Sequence, residues 1–191
     1  MHKIQPFSIS DTFFFSKTEI DHLQRHFRSV VLQDGQVLLC EGQVSDKIYF
    51  IETGILREFY KISDTDVTTW LLDAGNWACN IESYVTQQPS KRSIEAVGKT
   101  KVVYIDKSSI GNLLNEIPAL RDFLMLMYEN YLLKVDQLNT LFRIRNAEKR
   151  FLLFEANNQR LVGRVKQKHL ASLLGITPSQ LSRIRAKQLK K

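Results

Sequence analysis

Between Leu32 and Ile105, the hydrophobic residues fall into short runs separated by glycines. Hydrophobic residues recur at every second position in Tyr49 and Ile51, and again in Val103 and Ile105. This alternation predicts half-buried strands. The glycines that mark the turns are Gly35, Gly42, Gly54, Gly75 and Gly98. Several short strands at regular spacing predict an antiparallel β-roll, that is, a double-stranded jelly roll.

A short helix is predicted ahead of the strands. Ser16 is a suitable N-cap, and Glu19 follows it at the spacing of a capping box. Helices also follow the strands, so the fold class predicted for the chain is α+β.

After Asp106, the hydrophobic residues recur at steps of three and four for about six helical turns, with no internal proline or glycine. This pattern predicts a long helix that pairs with a second copy of the chain. The predicted dimer seam consists of Leu120, Leu124, Met127, Tyr131, Val135 and Leu138, and Phe142 continues it. The alternative is a helix that packs on its own β-roll. Further helix is predicted from Glu148 to Ala156, followed by a short strand at Leu161–Val165.

The stretch LASLLGITPSQLSRIRAK, residues 170–187, predicts two short helices joined at Gly175. Thr177 is a suitable N-cap for the second helix, Pro178 suits its first position, and Gln180 completes a capping box. The face predicted to be buried contains Leu181, Ile184 and either Gln188 or Leu189. Small Ala171 lets the two helices cross closely, as a helix-turn-helix requires.

Charge is distributed unevenly along the chain. Residues 143–191 contain 13 Lys and Arg against Glu148 and Glu155, a balance of +11, whereas residues 1–142 have a balance of −4. A basic end on an acidic body predicts a polyanion partner for the end alone, and a solvated basic surface is the alternative.

The outward side chains of the second short helix suit the major groove of double-stranded DNA. Arg183 can bind guanine, Gln180 can pair with adenine, and Ser179 can bond a base or a phosphate. The residues predicted to contact phosphates are Lys166, Lys168, His169 and Lys187.

No apolar run is long enough for a membrane span, and the N-terminus lacks the apolar core of a signal peptide, so we expect a cytoplasmic protein. The two cysteines, Cys40 and Cys79, fit reduced thiols and are too few for a four-cysteine iron–sulfur centre.

Two stretches resemble the Crp/Fnr family of bacterial transcription regulators, especially its compact members. DGQVLLCEGQVSDKIYFIETGILREFY follows the glycine framework of the cyclic-nucleotide-binding β-roll, and RVKQKHLASLLGITPSQLSRIR is similar to the family helix-turn-helix. The resemblance implies a roll with its N-terminal helix over residues 1–110, a dimerisation helix over 111–144 and a winged DNA-binding domain over 145–191. It also implies a homodimer, RNA polymerase as a further partner, and a small-molecule effector of unknown identity.

The match also departs from the family. Cyclic-AMP-binding members have a Gly-Glu pair and an Arg-Ser pair where an ungapped count gives Cys79 and Asn80, then Ser90 and Lys91. Without those groups, no tight cyclic AMP binding is expected, because neither Lys91 nor Arg92 restores the arginine fork. No cofactor of the family is expected either, because two cysteines are too few for an iron–sulfur cluster and no histidine lies inside the roll to bind haem. The candidate effector pocket consists of Trp77, Asn80, Tyr84, Ser90 and Lys91.

The resemblance also bears on the DNA-binding end. Arg183 falls on a base-reading arginine of the family, whereas Pro178 and Ser179 replace other readers, so we expect a different operator. Because the sequence ends at Lys191, any wing is expected to come from Leu161–Val165.

The sequence offers no catalytic or metal site. A cupin-type enzyme needs histidines on its strands, but the four histidines are His2, His22, His26 and His169. His22 and His26 could share a metal on one helix face, although an ordinary helix face is favoured. The remaining alternative is a degenerate sensor that acts through another ligand or a protein partner.

Overall fold

The protein is described by a computed structural model of residues 15–188. The first two thirds of this range hold the strands and three short helices. In chain order they are α1 Lys17–His26, β1 Arg28–Leu32, β2 Val37–Leu39, β3 Lys47–Thr53, β4 Ile55–Ile62, β5 Thr65–Asp73, β6 Trp77–Ala78, α2 Ile81–Thr86, β7 Ser93–Ala96, β8 Thr100–Asp106 and α3 Lys107–Glu116.

The rest of the described chain is helical. The helices are α4 Ala119–Arg143, α5 Ala147–Asn157, α6 Gln159–Val162, α7 Gln167–Leu173 and α8 Pro178–Gln188. Long α4 begins after the break at Ile117 and Pro118, which separates it from α3. None of the helices in the described range is long and apolar enough to cross a membrane.

The strands form two antiparallel four-stranded sheets. One has the order β1-β8-β3-β6 and the other the order β2-β7-β4-β5. Their facing sides enclose apolar side chains such as Ile51, Leu56 and Val102. The predicted α+β class and antiparallel roll are therefore confirmed, together with the capping box of α1, in which Glu19 bonds the Ser16 N–H at 2.7 Å.

The prediction that the strands are half-buried is wrong for β3. Tyr49 and Ile51 face the other sheet, but Ile48 and Phe50 on the opposite side are also buried. The physical reason is a second layer, because α1, α3 and the start of α4 cover the outer side of this sheet. The sequence alternation could not show that both faces are covered.

Gly54 illustrates how the glycine framework holds the roll together. Its φ is +95°, and a Cβ placed there would lie 2.4 Å from the Thr100 Oγ1 and 2.5 Å from the Thr100 Cα. Thr100 comes this close because its hydroxyl accepts from the Ile55 N–H at 3.1 Å and bonds the Ile55 carbonyl at 3.0 Å. Only glycine fits a turn that combines positive φ with such a close backbone approach.

Helices α4 to α8 pack directly on the roll. One hydrophobic cluster combines Ile55, Leu71 and Val97 of the roll with residues of α4 to α8. Helix α7 lies against the edge strand β5, where the Ser172 hydroxyl accepts from the Thr68 N–H at 2.9 Å and donates to the Asp66 carbonyl at 3.2 Å.

The predicted strand at Leu161–Val165 is wrong. Residues Gln159–Val162 form α6, and Leu161 is buried in the cluster that joins α5 to α8. Apolar residues of a one-turn helix are too few to show a helical period, so the short run resembled a strand. Between Lys107 and Gln188 the structure contains no strand, and it therefore shows no wing there.

Candidate nucleic-acid interface and ligand cavity

Helices α7 and α8 form the predicted helix-turn-helix. Gly175 has a φ of +62°, and Leu170, Ala171, Leu174 and Leu181 are completely buried between the helices and their neighbours. A residue without Cβ is favoured at Gly175 because this left-handed conformation strains other residues. The turn therefore sets the direction in which α8 leaves the core.

The N-terminus of α8 has the predicted capping box. The Gln180 N–H donates to the Thr177 Oγ1 at 3.2 Å, and the Thr177 N–H donates to the Gln180 Oε1 at 2.9 Å. The side-chain oxygen of Gln180 is therefore engaged within the helix end, and its amide NH₂ group is the part left to contact a base.

The three predicted base readers lie on one exposed surface. Ser179, Gln180 and Arg183 are all exposed, while Leu181 and Ile184 fix the opposite side of α8 in the core. Arg183 Nε is 3.4 Å from the Ser179 carbonyl of its own helix, and no described carboxylate forms an ion pair with it. Its guanidinium is therefore presented to solvent.

The predicted phosphate contacts divide into two groups. Lys166, Lys168 and Lys187 are exposed, although Lys166 pairs with Asp34 of the roll at 2.8 Å and Lys187 lies 3.5 Å from Glu148. His169 does not belong with them, because it is only 7% exposed and lies within electrostatic range of Arg57 and Asp66 of the roll. Burial, helped by the charge of Arg57, lowers the pKa of His169 to about 4, so its imidazole is neutral.

The predicted effector residues are not brought together around one space. Asn80 is buried, where its side chain caps α2 at Ser83 and donates to Glu58 at 2.7 Å. The Ser90 hydroxyl donates to the Arg92 carbonyl at 2.7 Å, and Lys91 is 79% exposed and pairs with Glu82 at 2.8 Å. These three residues serve local structure and do not line the cavity described below.

Sequence reasoning missed the buried carboxylate of Glu58. It accepts hydrogen bonds from the Thr69 hydroxyl at 2.7 Å, from Asn80 and from the guanidinium of Arg92 at 3.1 Å. Arg92, a candidate to replace the family's phosphate-binding arginine, therefore already neutralises an internal charge. A glutamate in the middle of a strand resembles a surface residue in sequence, so no signal pointed to it.

A cavity of about 350 Å³ lies between the roll and α4. Trp77 and Tyr84 from the predicted pocket line it, with Glu58 and residues of α4 that the prediction did not include, among them Phe123, Tyr131 and Lys134. Trp77 also packs against Phe50, with ring centroids 4.9 Å apart, so it serves both the core and the cavity wall.

Most of the predicted dimer seam faces the chain's own body. Leu120 belongs to the core between the β1-β8-β3-β6 sheet and the helices that cover it, and Leu124 and Met127 pack against that core. Leu138 packs against the hydrophobic cluster that includes residues of α4 to α8. Tyr131 contacts Trp70 with ring centroids 5.9 Å apart. Five of the six residues therefore pack on the chain's own body, whereas Val135 and the continuing Phe142 lie in none of the described core clusters. Contact of this stripe with a second copy stays a prediction.

A second apolar stripe of α4 faces solvent. Met125, Tyr128, Leu132 and Phe142 are between 41% and 63% exposed, and Val135 falls on the same face by helical spacing. A helix of this length can carry two apolar faces of the same period, so sequence spacing could not separate the intramolecular face from the exposed one.

The remaining histidines that the structure describes form no metal site. His22 pairs with Glu116 at 3.2 Å and its ring lies 5.5 Å from that of His26. Within residues 15–188, no group of three or more His, Cys, Asp or Glu residues is placed to hold a metal ion. His2 lies outside the described residues, and so does Leu189, one of the two residues predicted to complete the buried face of α8.

Comparison with protein families gave a match over the first part of the chain. The cyclic nucleotide-binding domain family matches residues 29–116. Comparison with curated protein sequences gave no significant match.

Solved structures extend the likeness to most of the chain. FixK2 from Bradyrhizobium japonicum is 16% identical with a TM-score of 0.74, over 86% of this chain and 85% of FixK2. CLP from Xanthomonas campestris, a global regulator responsive to c-di-GMP, is 12% identical with a TM-score of 0.71 over 92% of both chains. A protein from Eubacterium rectale assigned to the Crp/Fnr family is 14% identical with a TM-score of 0.68, over 92% of this chain and 85% of that one.

These matches confirm, at the level of the fold, the resemblance predicted from sequence. Residues 29–116 match the cyclic nucleotide-binding domain family, and the chain shares the fold of these solved structures, one of which is assigned to the Crp/Fnr family.

Proposed function

We propose that the chain is a homodimeric, DNA-binding transcription regulator that acts in the cytoplasm and whose β-roll senses a ligand. The observation that carries the proposal is the geometry of α7 and α8. Leu181 and Ile184 are buried, and the opposite face of α8 presents Ser179 and Arg183 to solvent in the basic end of the chain. This arrangement suits a helix that enters the major groove.

In this proposal the exposed side chains of α8 have separate roles. Arg183 reads a guanine, the Gln180 amide contributes its NH₂ group, and Ser179 bonds a base or phosphate. Lys168 and Lys187 contact phosphates, and Lys166 joins them by exchanging its exposed pair with Asp34 for a phosphate. His169 is left out of the interface because it is buried and neutral.

The proposed dimer forms through the exposed stripe of α4, which Met125, Tyr128, Leu132, Val135 and Phe142 define. Their spacing of three, four, three and seven matches the repeat of a two-helix seam, and an exposed apolar stripe of this length is unfavourable in water. Two copies would present two α8 helices to a pseudo-palindromic site about one helical turn apart. RNA polymerase remains a predicted partner.

We also propose that the roll does not bind cyclic AMP tightly. The supporting observation is that Arg92 pairs with buried Glu58, while Ser90 bonds the Arg92 backbone. No guanidinium of this loop is left to chelate the cyclic phosphate, and the exposed ammonium of Lys91 offers only a point charge. The enzyme class is disfavoured as well, because the described cavity holds no nucleophile paired with a base.

Selection of bound sites from random duplex DNA tests the proposal. The natural protein is compared with Arg183→Ala and with Arg25→Ala, which removes the same charge from exposed α1. We expect Arg183→Ala to lose discrimination at one base pair per half-site, worth about 1–3 kcal/mol, and Arg25→Ala to select the same sequences as the natural protein. Unchanged site preference in Arg183→Ala, or no shift of any duplex at low salt, contradicts the proposal.

Light scattering tests the dimer independently of DNA. Leu132→Glu introduces a charge into the exposed stripe, whereas Leu152→Glu makes the same change at an exposed leucine of α5. We expect the natural protein and Leu152→Glu to be dimers at micromolar concentration and Leu132→Glu to be a monomer. A natural protein that is monomeric, or a Leu132→Glu variant that remains dimeric, contradicts this seam.

A further inference from the structure

The cavity between the roll and α4 is lined mainly by aromatic and aliphatic side chains. Trp77 packs against Phe123 with ring centroids 5.7 Å apart, and Trp70 packs against Tyr131. A volume of about 350 Å³ is in the range of natural sites for small organic molecules. Flat rings stack favourably on such walls, so the shape and chemistry of the space favour an aromatic body.

Lys134 supplies a positive charge in the wall of this cavity. Its side chain is partly buried, and its Nζ donates to the side-chain oxygen of Asn76, a neutral amide. Among residues 15–188 it forms no salt bridge, although the charge of Asp73 acts on it from a greater distance. Burial lowers the pKa of Lys134, so an anion that enters the cavity would stabilise its charged form.

Glu58, the acidic side chain that lines the cavity among the described residues, already has its hydrogen-bond partners. Its carboxylate already accepts from Thr69, Asn80 and Arg92. A second anion beside Glu58 would be repelled, because like charges in a low-dielectric site interact strongly. An anionic group is therefore favourable only near Lys134.

We propose that this cavity binds an aromatic monocarboxylate, with its rings between Trp77, Phe123 and Tyr131 and its carboxylate on the Lys134 ammonium. The proposal gives the chemical class of the ligand sensed by the roll, and its regulatory meaning rests on the proposed function. Binding is measured without DNA, so the two proposals can fail separately.

Calorimetric titration of the full chain tests the ligand class with three probes. They are 2-naphthoate, the uncharged 2-naphthamide of the same shape, and cyclic AMP. A hydrogen-bonded charge pair contributes roughly 1.5–3 kcal/mol, so we expect 2-naphthoate to bind at least about tenfold more tightly than 2-naphthamide. Cyclic AMP should bind more weakly than 2-naphthoate.

Three variants assign the preference to Lys134. Lys134→Met keeps an apolar side chain of similar length, and we expect it to bind 2-naphthoate and 2-naphthamide equally. Lys134→Arg keeps the charge and should retain the preference, while Lys149→Met, at an exposed lysine of α5, should behave as the natural protein. Circular dichroism spectra establish that each variant is folded.

Several outcomes overturn the inference. They are equal affinity of the natural protein for 2-naphthoate and 2-naphthamide, no binding of 2-naphthoate at millimolar concentration, tighter binding of cyclic AMP, and an unchanged preference in folded Lys134→Met. A chain that binds 2-naphthoate as expected but shifts no duplex DNA contradicts the proposed function and leaves the ligand class intact.

Discussion

The arginines of the roll and of α8 have opposite surroundings. Arg57 is 1% exposed and bonds Asp66 at 2.8 Å and Glu95 at 2.7 Å, and Arg92 bonds buried Glu58. Arg183, in contrast, is exposed and, within residues 15–188, bonds only a backbone carbonyl of its own helix. A basic residue is therefore a candidate for binding an anion only where the fold has not already neutralised its charge.

The largest effect on folding is expected at Arg57. In Arg57→Met, two carboxylates next to a buried site lose their guanidinium, and the Thr68 hydroxyl loses the Nε donor at 3.0 Å. We expect the free energy of unfolding in urea to fall by about 3 kcal/mol. The same change at exposed Arg25 should alter it by less than about 0.5 kcal/mol. Equal stability of the two variants would contradict the distinction between internal and exposed arginines.

We expect His169 to make the stability of the folded chain depend on pH. Its pKa is about 4 in the folded chain, because of burial and the charges of Arg57, Lys168 and Lys166, against an ordinary value of 6.5. Between these values the unfolded chain binds the proton and the folded chain does not, so stability falls as pH decreases from about 6.5 toward 4. From pH 7 to pH 5 we expect roughly 2 kcal/mol of loss from this group.

Urea unfolding at several pH values measures the effect of His169. The His169→Asn variant should lose most of the slope between pH 7 and pH 5, whatever its stability at pH 7. An identical slope in both proteins would show that His169 is solvated enough to be protonated in the folded state.

A smaller effect is expected at Arg92. In Arg92→Gln, Glu58 keeps its neutral donors Thr69 and Asn80 but loses its counter-ion, so unfolding should become easier by about 1 kcal/mol. Lys91→Gln removes a charge from an exposed pair, in which the Lys91 side chain is 79% exposed, and should change stability by less than about 0.5 kcal/mol. If Arg92→Gln kept full stability and instead weakened cyclic AMP binding, Arg92 would be a phosphate ligand after all.

The smallest effect on stability is expected at Arg183. Its guanidinium neither packs in the core nor pairs with a described carboxylate, so Arg183→Ala should unfold within about 0.5 kcal/mol of the natural protein. Thermal unfolding checks this directly. A large loss would indicate a structural role for Arg183 and would weaken its assignment as a base reader.

Local chemistry explains which parts of the fold the sequence predicted well. The capping boxes at Ser16 and Thr177 and the turn at Gly175 depend on residues within three or four positions of each other. Such signals are readable because all of the interacting groups lie in one short stretch.

The parts that sequence missed depend on contacts between distant residues. Glu58 meets Arg92 across 34 positions, and Thr68 meets Ser172 across 104. The apolar face of α4 that packs on the roll has the same period as its exposed face, so only tertiary structure distinguishes Leu124 from Leu132. For the same reason the cavity wall at Lys134 could not be located from the loop that resembles the family's ligand site.

The bond between Ser172 and the backbone of Thr68 has a consequence for solubility. Strand β5 is at the open border of its sheet, and an uncovered border can recruit a strand from another molecule. Helix α7 occupies this border and satisfies the Thr68 amide, so the helix-turn-helix also shields the roll from edge-to-edge aggregation. Any movement that lifts α7 away from the roll would expose that border for as long as it lasts.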